Sequence, residues 1–210
     1  MATTTPQIQA SIFSQVPSVS TRQYNYGYYP LLKGDIAPIF QLHQSSFVSI
    51  QHFFEAKQPL VIAFYTNLLN NTTGIQQLET LQTQVNQHGG NLIIITSNTS
   101  KAFKKAIASA TNLNVFVDAD NSIAELFGLY DDANPLTNWL SGIEDAAAAL
   151  PALYVINPER QIVHHFIDYQ FELFGNANTN NHFTDGVFEA VDNIYNTYTY
   201  LNVRYNKLVS

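Results

Sequence analysis

Six consecutive apolar residues, Leu60-Val61-Ile62-Ala63-Phe64-Tyr65, constrain this chain more than any other stretch. They are rich in β-branched and aromatic side chains, as expected of a strand buried on both faces. Polar turn chemistry follows at once. Asn67, Asn70, Asn71, Thr72 and Thr73 carry side-chain oxygens able to cap a helix, and from Ile75 the apolar spacing Ile75, Leu78, Leu81, Val85 is helical. Strand, loop and helix start, in that order, form the place where α/β folds usually put their chemistry.

The same grammar then repeats. A helix over 74–88 is stopped by His88-Gly89-Gly90, because glycine accepts the left-handed conformation such caps need. Asn91 to Thr96 reads as a second buried strand. Ser100 caps a helix through Ala110, with Phe103 and Ile107 four apart on one side. Val115 to Asp118 is a short strand, and Ile123, Ala124, Leu126 and Phe127 mark a helix ending at Gly128. Strands separated by helices imply parallel crossovers. Upstream, Phe47 to Ala56 reads as a short helix or turn.

Composition narrows the function. The chain has 210 residues, enough for one domain with extensions. Charged residues make up only 12%, so Asn, Gln, Ser and Thr must cover the surface. A net charge of −7 argues against nucleic acid, whose phosphates need clustered cations. The one basic cluster, Lys101, Lys104 and Lys105, reads as a solvated helix face. There is no cysteine, which excludes disulfides, cysteine-based zinc sites and thiol catalysis. Met1 to Gln23 has neither a basic segment nor an apolar core of signal-peptide length, and no run reaches membrane-spanning length. A cytoplasmic protein that binds neither nucleic acid nor membrane is the expectation.

Two stretches carry a family resemblance. Gly34-Asp35-Ile36-Ala37-Pro38-Ile39-Phe40-Gln41-Leu42 is similar to the peroxiredoxin opening of Gly, small-Pro, x, Phe, x, Leu that leads into a first hairpin. Ala149 to Val163, with Leu150-Pro151 before a strand, a turn and a paired strand, is the second. Together with the Phe64-Tyr65 strand end, they make residues 31–201 resemble the thioredoxin-like superfamily in its peroxiredoxin branch, the alkyl hydroperoxide reductase and thiol-specific antioxidant family. The resemblance implies a three-layer α/β sandwich, a central mixed sheet flanked by helices. It divides the chain into an N-terminal extension 1–29, a domain 30–203 with an insertion 130–148, and a tail 204–210. In that family a cysteine stands where this chain reads Leu68 to Thr73, the proline corresponding to Pro151 is cis and faces the active-site loop, and a catalytic arginine lies near it. Here the cysteine is missing, Pro151 stands at the arginine's place, and Arg160 lies in the distal hairpin turn.

The candidate site is therefore a degenerate active-site region, Tyr65, Asn70, Asn71, Thr72, Thr73, Gly74 and Pro151, with no catalytic residue and no metal or other cofactor assigned. A helix start with free N–H groups suits a small anion or a peptide carboxylate. Asp118-Ala119-Asp120-Asn121-Ser122 has carboxylates at alternate positions, but without the glycine turn of a calcium loop. Asp120 or Asn121 capping the next helix is the simpler reading. His164 and His165 are adjacent on a predicted strand and point to opposite faces, one expected buried and hydrogen-bonded, the other exposed. His43, His52, His88 and His182 show no metal-ligand spacing. Residues 130–148, with Trp139, are placed to cover the mouth of the site. The cluster Tyr24, Tyr26, Tyr28, Tyr29 reads as packing on the domain surface. After the loop 175–181, Thr184 or Asp185 caps a last helix running to Leu201 and an aromatic tail with Tyr195, Tyr198, Tyr200 and Tyr205.

The function expected is a catalytically inert thioredoxin-like domain serving as a binding or assembly module for an unidentified protein or a small anionic ligand. Two alternatives stand beside it. One is a cysteine-independent enzyme using a hydroxyl of Tyr65, Thr72 or Thr73, which needs an adjacent base. The other is a structural subunit forming a homodimer through its tyrosine-rich surfaces.

Overall fold

The computed structural model describes residues 28–43, 47–55, 57–66, 73–98, 100–110, 112–138, 140, 143, 145–169, 171 and 182–209. Its centre is a five-stranded mixed sheet. In chain order the strands and helices are β1 (Gln41–His43), β2 (Phe47–Ser49), α1 (Gln51–Glu55), β3 (Leu60–Phe64), α2 (Thr73–Gln87), β4 (Asn91–Thr96), α3 (Lys101–Ser109), β5 (Val115–Val117), α4 (Ser122–Leu126), β6 (Ala152–Ile156), β7 (Ile162–Ile167) and α5 (His182–Val209). The sheet order is β5-β4-β3-β6-β7, and β1 and β2 form a separate hairpin. Strands β3, β4 and β5 are parallel, while β6 runs antiparallel to both β3 and β7.

The central strand behaves as its composition requires. Successive side chains of a strand alternate between faces, and Leu60, Ile62 and Phe64 enter one hydrophobic cluster while Val61, Ala63 and Tyr65 enter the other. All six are 2% exposed or less. One face is covered by α2, α3 and α5, through Leu78, Leu81, Val85, Phe103, Val187 and Val191. The other is covered by the β1–β2 hairpin, α1 and α4, through Leu42, Ile50, Phe54, Ile123 and Ala124. This is the thioredoxin-like sandwich implied by the resemblance.

Several local expectations need correcting. The stretch expected as one short helix or turn from Phe47 holds strand β2 before helix α1, because Phe47–Ser49 pairs with Gln41–His43; Ala56 lies outside the described residues. Helix α5 starts at His182 and continues through Val209, beyond Leu201. Asp118, not Asp120 or Asn121, is the main cap of α4: Ile123 and Ala124 donate backbone N–H groups to its carboxylate. Asp120 accepts from the Ser122 N–H, and Asn121 sits in the left-handed region at φ 57 with no side-chain cap bond. Both His164 and His165 are half-buried, so neither matches the buried and exposed pair expected. Other expectations hold. Ser100 accepts from the Phe103 N–H to cap α3, and Lys101, Lys104 and Lys105 are exposed on that helix. Tyr28 is buried, its hydroxyl donating to the Asn134 carbonyl, whereas Tyr29 is exposed; Tyr24 and Tyr26 lie outside the described residues.

Gly128 shows why this layer closes tightly. Its φ is +68, and a Cβ there would run into the backbone carbonyl of Tyr29. Only glycine meets both demands.

Candidate functional site

The carboxyl ends of parallel strands are the usual ligand site of an α/β sheet. Here the ends of β3, β4 and β5 are occupied by the chain itself. Residues 145–149 cross them, drawn in by three side chains. Thr66 Oγ1, just past β3, donates to the Ala149 carbonyl at 2.7 Å. Ser97 Oγ, just past β4, donates to the Ala147 carbonyl at 3.1 Å. Asn121 Nδ2, beyond β5, donates to the same carbonyl at 2.9 Å. A turn at Asp145 holds the segment in shape, its side chain accepting the Ala147 N–H and its carbonyl the Ala148 N–H. Ala148, Ala149 and Leu150 are buried. The space left between Tyr65, Thr66, Thr96, Asp118, Asn121 and Ala149 is about 10 Å³, no more than one water molecule requires.

Two titratable groups line this space, and both are committed. Tyr65 turns toward the helical layer, stacked on Phe103 with ring centroids 5.8 Å apart, and burial pushes its hydroxyl up to about 12. Asp118 is 4% exposed. Burial raises its pKa, an effect partly offset by the N–H groups of Ala124 and Ile123.

The sequence-derived site residues are placed as follows. Tyr65 is buried at the end of β3, Gly74 is buried in the first turn of α2, and Thr73 is the first residue of that helix. Pro151 is buried immediately before β6, with its carbonyl accepting the Asp168 N–H. Asn70, Asn71 and Thr72 lie outside the described residues, as does Trp139. Ala152 is in register with Phe64, which sets Pro151 and the exit of β3 side by side. The Leu150-Pro151 bond is trans, contrary to the expectation carried by the resemblance. Arg160 lies beyond the opposite end of β6, five residues or roughly 17 Å away along the strand. It takes a turn conformation at φ 67, and its carbonyl accepts the Ala37 N–H.

Residues 145–148 bear out the cover expected from 130–148, whereas the side chains that hold it, Thr66, Ser97 and Asn121, were not singled out from sequence as parts of this region. Their signal is weak, since single hydroxyls and amides after strands are common. Asp118 carried a stronger signal, a carboxylate at the end of a strand four residues before a helical pattern.

Among the described residues no helix is long and apolar enough to cross a membrane. The AhpC/TSA family profile matches residues 33–165. A comparison with curated proteins finds no significant match. Solved structures do. The peroxidoxin BcpB of Mycobacterium tuberculosis superposes with a TM-score of 0.57 at 15% identity, over 77% of this chain and 96% of that one. AhpC of the same organism gives 0.54 at 13%, over 80% and 99%. PrxQ of Xylella fastidiosa gives 0.54 at 16%, over 78% and 96%. With the family profile covering more than half of its length, this cysteine-free chain belongs to the AhpC/TSA family.

Proposed function

We propose that this protein keeps the peroxiredoxin framework as a binding or assembly module and performs no thiol chemistry. The carrying observation is the closure of the strand ends by residues 145–149 in a chain with no cysteine. Peroxide reduction needs a thiolate nucleophile, and a threonine hydroxyl lacks its acidity and polarisability. The hydroxyl-enzyme alternative loses ground on geometry. Tyr65 faces the helical layer, and the carboxylate nearest the strand ends, Asp118, is engaged by α4.

The partner in this reading is a protein or a small anion met at the start of α2, where Thr73 and Gly74 follow Asn70, Asn71 and Thr72 in sequence. The 15-residue α2 directs the positive end of its dipole there. Titration of isotope-labelled protein with sulfate tests it: saturable amide shifts at Thr73 and Gly74 are expected, and shifts no larger than those of chloride at equal ionic strength would contradict it. Homodimer formation and a cytoplasmic location belong to the same proposal, and gel filtration and cell fractionation test them.

A further inference from the structure

A second concavity, away from the strand ends, lies between β7 and α5. The register of β7 against β6 shifts between Val155 and Ile156, so that Val163 is left without a partner. The resulting bulge turns both Val163 and His164 toward α5. Helix and strand approach closely at Gly186, where a Cβ would strike the His164 ring. Beside that contact lies an open groove of about 510 Å³.

The groove has an apolar floor, Val163, Ala190 and Ile194, and a polar margin. Lys33 stands at the margin. On α5, Glu189 and Asn193 are four residues apart and both exposed, so they follow one ridge of the helix. The half-buried His164 imidazole lines the same groove as both charges and makes no hydrogen bond to another described residue. Burial lowers its pKa, with His165 and Lys33 acting in the same direction and Glu189 opposing, so the ring is neutral at pH 7 and can both donate and accept. Lys33 and Glu189 thus act on one imidazole, yet no ion pair within 4 Å joins them.

We propose that this groove binds a short unblocked peptide, its carboxylate set against Lys33, its ammonium against Glu189 and an amide hydrogen-bonded to His164. An anion alone would meet the Glu189 carboxylate and a cation alone the Lys33 ammonium. A wholly apolar ligand would bury His164 and Asn193 with their polar groups unpaired, which is costly. A zwitterion satisfies all of them. The volume lies within the range of small-ligand sites, about 300–1,000 Å³, and two or three extended residues span roughly 7–10 Å.

Trialanine is the probe, followed by calorimetry and by the ring resonances of His164, with acetylated trialanine and trialanine amide as blocked controls. Trialanine is expected to shift the His164 ring saturably, and each blocked peptide to bind about three- to five-fold more weakly, as loss of one exposed ion pair implies. Glu189→Gln should erase the acetylation penalty and leave the amidation penalty, and Lys33→Met should do the reverse. Both substitutions are at exposed positions, so the fold survives them. No saturable shift at up to about 10 mM trialanine, or equal binding of free and blocked peptides, overturns the proposal. The sulfate response of Thr73 and Gly74 is independent of either outcome.

Discussion

The hydroxyl of Thr66 donates to the carbonyl of Ala149 across 2.7 Å, tying the exit of the central strand to the chain that leads into β6. The residue after a buried strand is here spent on a structural bond. Thr66→Val keeps the shape and removes the donor, leaving a partly buried carbonyl unmatched. A loss of about 1 kcal/mol in denaturant titration is expected, and an unchanged midpoint would show that the crossing is held by its apolar side chains alone.

Asp118 caps α4 from the end of β5. Asp118→Ala should cost about 1–2 kcal/mol at neutral pH. Its folded pKa is raised above the ordinary 3.8 by burial, so the native carboxyl holds its proton more firmly than the unfolded one. This ionisation linkage therefore favours the fold below 3.8 and is lost as pH rises through the raised value. Compared with Asp118→Asn, which cannot ionise, the wild type should gain relative stability on acidification through that window. A wild type that loses stability relative to Asp118→Asn on acidification through that window would contradict this assignment.

His164 has the opposite linkage. Its folded pKa lies below the ordinary 6.5, so its contribution is complete above 6.5 and is lost as pH falls through the lowered value. The melting temperature should drop on acidification across this range, and His164→Gln should flatten the slope. The groups acting on its proton are His165, Lys33 and Glu189. An identical slope in the variant would remove His164 as the source.

Tyr154 lies in the centre of β6, in contact with Phe64 and Phe127, and its buried hydroxyl has no hydrogen-bond partner among the described residues. Desolvation drives its pKa well above 10. Tyr154→Phe keeps the ring and removes the unmatched oxygen, so stability should be unchanged or higher by up to about 1 kcal/mol. A loss greater than that would reveal a partner for the hydroxyl.

The framework was legible in the sequence because strand burial is written locally. Leu60 to Tyr65 and Asn91 to Thr96 are continuous apolar runs, and Ile75, Leu78, Leu81 and Val85 repeat with the helical period. The β1–β2 hairpin was less legible, since Phe47 to Ser49 becomes a strand only through its pairing with Gln41 to His43. The trans bond at Leu150-Pro151 could not be read, because a proline allows either isomer and the surroundings decide. A cover from 130–148 was legible, but the way 145–149 is anchored was hidden, as it depends on three bonds between residues 26 to 83 positions apart. The groove beside His164 depends on a one-residue bulge in β7, and nothing in Ile162 to Ile167 marks its position.

The central claim is that an AhpC/TSA framework persists here without the family's reaction. Peroxide consumption by the purified protein, with dithiothreitol or a thioredoxin system as reductant, tests it most directly. The rate should equal that of buffer at every protein concentration. A rate that rises in proportion to protein and survives repeated purification would contradict the account.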